Sequence, residues 1–151
     1  MLGTDPEVGG GSQPEEQRGP DTPASAHPLR VLVVDDHRLV RQGLVELFED
    51  ASGIAVVGEA GDGLAALEQA RQLEPDVVLM DVSMPRLDGV EATRQLREQM
   101  PKIRIIGLSM HDDASVAEAM RQAGAERFLT KNGPSAALIK AVRGEGNEWR
   151  D

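Results

Sequence analysis

The sequence predicts a doubly wound α/β fold, a five-stranded parallel sheet with helices on both faces. Three observations carry this prediction. Short apolar runs recur five times between residues 29 and 143, amphipathic segments separate them, and glycine or proline marks the joins. Strand-then-helix units in such short succession require right-handed crossovers, which restrict the topology to doubly wound arrangements. In these folds chemistry gathers beyond the carboxyl ends of the strands, where the strand order reverses.

The first apolar run is Val31–Val34, followed by a helical face of Leu39, Val40, Leu44, Leu47 and Phe48. Ile54–Val57 is the second strand and leads into Glu59-Ala60; Leu64, Leu67, Ala70 and Leu73 then share one face. Val77–Met80 is the third strand, with Val90, Thr93, Leu96 and Met100 on the helix behind it. Ile103–Leu108 is the fourth, followed by Val116, Ala117, Met120 and Ala123. The fifth strand centres on Phe128–Leu129, and its helix carries Ala137, Leu138, Ala141 and Val142. The first four strands are continuously apolar, as strands covered on both faces are. Gly53, Gly61, Pro75, Pro101, Gly124 and Pro134 break the pattern between elements. Asp36, Asp62 and Asp88 stand where the first three helices need N-caps.

Residues 1–28 are rich in Gly, Pro, Glu and Ser and have no apolar period. They cannot bury enough surface to offset the entropy of ordering them, so they read as a flexible tail or linker. The folded unit is expected over residues 29–145, with a short tail at 146–151. Aromatic residues are only 2% of the 151, so the core must rest on Leu, Val, Ile, Ala and Met. The formal charge of −10, only −4 of it in the tail, argues against a nucleic-acid or anionic-membrane surface. There is no cysteine for a disulfide or thiolate site, no apolar run near the roughly 20 residues of a membrane span, and no secretory signal pattern. The expectation is a cytoplasmic domain.

Reading the strand ends in order gives Asp35-Asp36, then Asp81, then Ser109, then Lys131. Each alone has an ordinary explanation: an Asp before a helix is usually a cap, and a lone lysine is usually solvated. Placed together at successive strand ends they imply one site. Two like charges about 4 Å apart repel by roughly 4 kcal/mol at an effective dielectric near 20. One carboxylate of the trio would stay protonated unless a cation occupies the site, and a hard, oxygen-preferring ion such as Mg²⁺ suits it. With Lys131 added, the cluster is prepared to receive a phosphoryl group. Asp81 stands alone between a strand and a loop and is the natural nucleophile, while Asp35-Asp36 suits the ion.

The stretches LRVLVVDDHRLVRQGL, PDVVLMDVSMPRLDGVEATRQLR, IIGLSM and AGAERFLTK resemble the receiver domain of bacterial response regulators over nearly all of residues 29–143. The resemblance implies a flavodoxin-like sheet of order 2-1-3-4-5. It implies phosphorylation at Asp81 and a Mg²⁺ site (Mn²⁺ being an alternative ion) formed by Asp35, Asp36, Asp81 and the main-chain carbonyl of Ser83. It also implies phosphoryl contacts from Ser109 and Lys131, an aromatic switch at Phe128, and tuning of phosphoryl lifetime by Ser83 and His111. Met84-Pro85 and Asp88-Gly89 shape the loop after the phosphorylation site in that family. Asn132 follows Lys131 where many relatives have proline, which removes the usual support for a cis peptide. Arg127 stands where a small residue is frequent.

The implied partners are a histidine kinase or phosphotransfer protein upstream and an output protein or fused domain downstream, with a phosphorylation-dependent dimer as a further possibility. No helix-turn-helix follows Arg143, so direct nucleic-acid contact by this chain is not expected. The domain reads as a stand-alone regulator, a receiver cut from a transcription factor, or the C-terminal receiver of a hybrid histidine kinase, the last of which the tail ahead of it suits as a linker. The implied role is a signalling domain that catalyses only its own phosphoryl transfer and autodephosphorylation. A haloacid-dehalogenase-like phosphohydrolase fits poorly, because Ser83 stands where its second aspartate is needed and the first strand lacks D-x-D. No phosphate-cradling glycine fingerprint follows a strand. The methionines read as packing, Trp149 as a surface aromatic, and His27, His37 and His111 as scattered residues without zinc spacing.

Overall fold

The computed structural model describes residues 27–84 and 86–145. Most of the expected N-terminal tail, the C-terminal tail, Pro85 and Trp149 lie outside the described residues. Five strands alternate with five helices: β1 (Leu29–Val34), α1 (Arg38–Glu49), β2 (Ile54–Ala60), α2 (Gly63–Leu73), β3 (Val77–Asp81), α3 (Gly89–Gln99), β4 (Arg104–Ser109), α4 (Ala114–Ala123), β5 (Arg127–Thr130) and α5 (Ser135–Val142). All pairings are parallel, in the order β2-β1-β3-β4-β5. The predicted class, strand order and element count are all observed. The strands run a residue or more beyond their apolar runs, because ladder bonds continue after the side chains turn polar. β2 reaches Ala60 opposite Val34, with a register irregularity where Val31 and Leu32 pair with Val56 and Gly58.

Strand periodicity divides the core into two layers. Leu32 and Val34 of β1, Val78 and Met80 of β3, and Ile105 of β4 face Ala66, Leu67 and Ala70 of α2, Ala92 and Leu96 of α3, and Met120 of α4. On the opposite face Val31, Val33, Val77, Leu79, Ile106 and Leu108 pack on Leu44 and Phe48 of α1 and Leu138, Ala141 and Val142 of α5. Phe48 is fully buried and is the largest side chain of this core. At roughly 1.5–3 kcal/mol for each large apolar side chain, these two layers are the main source of stability.

Two predicted faces are narrower than read. Leu39 is 80% exposed and Leu64 is 51% exposed, and each sits in the first turn of its helix. The N-cap reading holds for two of three aspartates. Asp62 accepts from the Ala65 N–H and Asp88 from the Glu91 N–H. Asp36 does not cap α1. The cap position is His37, one residue later, and its side chain makes no capping bond. Asp113, overlooked in the sequence, caps α4 by accepting from the Ser115 and Val116 N–H groups.

Two glycines position the loop after β3. A Cβ on Gly89 would lie 2.1 Å from the Asp81 carbonyl oxygen, and one on Gly63 would lie 2.0 Å from the Leu87 carbonyl oxygen. Only hydrogen fits at either point, so α3 starts directly against the backbone of Asp81, and α2 against the loop. Arg86, at a left-handed φ of 69°, ties that loop to α2 through a 2.5 Å ion pair with Asp62. The described residues contain no cis peptide, and no helix among them is long and apolar enough to cross a membrane.

Candidate functional site: an acidic cluster with a buried lysine

β1 and β3 are neighbours, with Val34 opposite Met80, so Asp35 and Asp81 emerge side by side at the carboxyl edge of the sheet. Both are buried, at 0% and 2% exposure. The Asp35 backbone is fixed at both ends: its N–H donates to the Ala60 carbonyl at 3.0 Å, and its carbonyl accepts from Arg41 Nη1 at 2.7 Å. One oxygen of each carboxylate is held by local backbone. Asp35 Oδ1 accepts from the His37 N–H at 2.8 Å, and Asp81 Oδ1 accepts from the Ser83 N–H at 3.2 Å.

Lys131 enters from β5. Its N–H donates to the Ser109 carbonyl at 2.7 Å, which continues the β4–β5 ladder one step past Thr130. Its side chain is 3% exposed and places Nζ 2.6 Å from Asp35 Oδ2 and 3.3 Å from Asp81 Oδ1. These are close ion pairs, but neither has hydrogen-bond alignment. Asp81 Oδ2 is buried and has no hydrogen-bond partner among the described residues, whereas Asp35 Oδ2 has the Lys131 ammonium beside it. A buried anionic oxygen left in that state is costly. Burial is the main reason that the Asp81 carboxyl is pushed up to about 6; Lys131 opposes the rise and Asp35 adds to it.

The carboxylates of Asp35, Asp36 and Asp81 and a ring nitrogen of His37 lie within 4.8 Å of one another. Three acidic groups, one of them with a buried oxygen that has no partner among the described residues, fit a hard dication that takes oxygen ligands. Asp36 and His37 are exposed, so the cluster opens to solvent on one side.

The remaining predicted residues surround this cluster. Ser109 ends β4, is 7% exposed, and its Oγ accepts from the His111 N–H at 3.1 Å. Ser83 and His111 are exposed on the two loops that leave β3 and β4. Phe128 does not join the carboxylates. It pairs with Gly107, two residues before Ser109, and its ring is partly buried against the α2–α3–α4 core layer. Gly107 makes that packing possible, since a Cβ there would lie 2.7 Å from Met120 Cε and 2.9 Å from Phe128 Cδ1.

Two site residues were not singled out in the sequence. His37 was read as one of three scattered histidines, and its adjacency to Asp35-Asp36 was the available signal. Arg41 lies four residues after His37, on the same helix face. Besides holding the Asp35 carbonyl, it donates from Nε to Glu59 Oε1 at 3.0 Å and so fastens the β1 terminus to β2.

Residues 31–143 match the response regulator receiver domain family. The response regulator GacA of Pseudomonas viridiflava is 44% identical over 115 residues, which cover 76% of this chain and 54% of that protein. The response regulator UvrY of Escherichia coli K12 is 42% identical over 76% of this chain and 53% of its own length. The chain thus spans about half the length of the curated relatives it matches. Among solved structures, a LuxR-family two-component response regulator from Aurantimonas sp. SI85-9A1 superposes with a TM-score of 0.75. It is 35% identical and covers 82% of this chain and 89% of its own. The response regulator domain of CheB from Thermotoga maritima gives 0.73 at 34% identity, covering 78% and 96%.

Proposed function

Because this chain belongs to the response regulator receiver domain family, we propose that it is a phosphoacceptor that takes a phosphoryl group onto Asp81 from a phosphohistidine of a histidine kinase or phosphotransfer protein. The carrying observation is the buried Asp81 carboxylate, one oxygen of which has no hydrogen-bond partner among the described residues, beside two further aspartates and a buried lysine. A carboxylate oxygen of Asp81 attacks phosphorus, the P–N bond breaks, and the imidazole leaves with the bond's electron pair. Asp35, Asp36, Asp81 and the main-chain carbonyl of Ser83 would hold Mg²⁺, or Mn²⁺ in its place. Bound there, the ion offsets the charge of the carboxylates and of the phosphoryl oxygens.

After transfer, Lys131 pairs with a phosphoryl oxygen and the Ser109 hydroxyl donates to another. Phe128 follows Ser109 and changes the α4-β5-α5 surface read by an output partner. A phosphorylation-dependent dimer is one form that reading can take. Ser83 and His111, exposed at the rim, set how easily water reaches the acyl phosphate. The domain spans residues 29–145, acts in the cytoplasm, and contacts no nucleic acid through this chain. Relatives such as GacA and UvrY carry response-regulator names, which favours a regulator over a hybrid kinase.

The experiment is intact mass spectrometry after incubation with Mg²⁺ and acetyl phosphate. One phosphoryl group is expected on the wild type and none on Asp81→Asn. Equal labelling of both proteins would move the acceptor elsewhere.

A further inference from the structure

We infer that His37 is a metal ligand at this site, and that it adds a preference for imidazole-binding transition ions such as Zn²⁺ to an otherwise all-oxygen Mg²⁺ centre. The inference rests on the acidic cluster being the metal site of the phosphoacceptor proposed above, and concerns which ions it takes.

His37 occupies the N-cap of α1, where a side chain ordinarily accepts a hydrogen bond from the first turn. It makes no such bond. Its backbone is anchored instead by the N–H donated to Asp35 Oδ1 at 2.8 Å, and the ring turns toward the carboxylates. Nδ1 lies 3.2 Å from Asp36 Oδ1 and 3.4 Å from Asp35 Oδ1, in neither case as an aligned hydrogen bond. Those separations are the ones that ligands of a shared ion keep. With ligand distances near 2.1 Å, adjacent ligands are about 3.0 Å apart in an octahedron and about 3.4 Å apart in a tetrahedron.

The second observation is independent of the histidine. Asp81 Oδ2 is buried, has no hydrogen-bond partner among the described residues, and belongs to a carboxylate of the same cluster. The ring is 59% exposed, so its partners are a matter of orientation and not of core packing. A carboxylate trio alone favours hard ions that keep several waters. One imidazole nitrogen in place of a water changes that order, because imidazole suits zinc and its neighbours, and affinity then rises along the divalent series.

The test uses the full chain and its His37→Ala variant, with Mg²⁺, Mn²⁺ and Zn²⁺ titrated separately by calorimetry. Removing a ligand should cost at least what removing a ligand's supporting partner costs. The ratio of Zn²⁺ to Mg²⁺ affinity is therefore expected to fall by about tenfold or more. Pulsed electron paramagnetic resonance of the Mn²⁺ complex should show coupling to a nitrogen nucleus in the wild type and lose it in His37→Ala. His27 and His111 remain in both proteins, so the difference reports His37. An Mn²⁺ complex with no nitrogen coupling, or an unchanged affinity ratio, overturns the inference and leaves the phosphoacceptor reading intact, since that needs only the carboxylates. Asp36→Ala separates the two: if its Mg²⁺ affinity equals that of the wild type, the metal site itself is misplaced and both readings fall.

Discussion

Lys131 is held closer to Asp35, at 2.6 Å, than to Asp81, at 3.3 Å. The ammonium therefore rests on the carboxylate that is not the proposed acceptor, and it remains near enough to Asp81 to reach a group attached there. Lys131 is the charge that makes two buried aspartates tolerable in adjacent strands. Its removal leaves the like charges of two buried carboxylates facing each other, and breaking a buried pair typically costs 3–5 kcal/mol. Lys131→Ala should lose about 3 kcal/mol in urea unfolding without metal, the lower end because Asp81 can take up a proton. Saturating Mg²⁺ should restore part of the loss. A variant as stable as wild type in chelator would show that the lysine does not balance this cluster.

The raised Asp81 pKa gives a pH dependence whose sign is unusual for a carboxylate. Its folded value of about 6 lies above the ordinary 3.8, so between those values the folded state holds more protons than the unfolded one. Stability of the metal-free domain from this group is present below pH 4 and is lost as pH rises through 6. Mg²⁺ needs the ionised form, so the proton and the ion compete. The melting-temperature increase caused by a fixed Mg²⁺ concentration should be larger at pH 7.5 than at pH 5. An increase of equal size at both would mean that Asp81 is not titrating at the metal site.

The strand ends were legible because a parallel sheet brings consecutive carboxyl edges together, so Asp35, Asp81, Ser109 and Lys131 could be placed from chain order once the strands were known. The strand order came from family resemblance, since spacing cannot say that β1 lies between β2 and β3. The details that escaped depend on a single turn of helix. Asp36 and His37 differ by one residue in reaching the α1 N-terminus. The outward turn of Leu39 depends on where the helix leaves the sheet. Contacts such as the paired 2.8 Å bonds between Arg104 and Glu126 join residues 22 positions apart and leave no local pattern.

Gly89 gives a further prediction, because α3 begins against the Asp81 carbonyl with no room for a Cβ. Alanine there contacts backbone that cannot rotate away, so either the helix start or Asp81 must move. Overpacking of this kind costs about 1–3 kcal/mol, and here the displacement falls on the acceptor itself. Gly89→Ala should therefore lose stability in urea and label more slowly with acetyl phosphate, even at temperatures where it stays folded. Wild-type labelling together with lowered stability would show that Asp81 geometry tolerates the shift.

The last prediction concerns Gly107, which gives the Phe128 ring its place. Gly107 and Phe128 are paired across β4 and β5, two positions before Ser109 and Thr130 in the same ladder. A hydroxyl movement at Ser109 is thus connected to the ring by one short stretch of β4. If phosphorylation shifts a two-state equilibrium, the ring must be bound unequally in the two states. A Cβ at position 107 would come within 3 Å of both Phe128 Cδ1 and Met120 Cε. Both are side-chain ends that can turn, so the fold should survive at a cost of about 1–3 kcal/mol. The carboxylate cluster belongs to other strands, so Gly107→Ala should still accept a phosphoryl group on Asp81 by mass spectrometry. What should change is the response beyond β4. In nuclear magnetic resonance spectra, beryllofluoride with Mg²⁺ should shift the Phe128 ring and the α4 amides of the wild type. The shifts should be smaller in the variant, whose ring is displaced before activation. Identical shifts in both proteins would mean that the signal leaves Ser109 by a route that does not pass through Phe128.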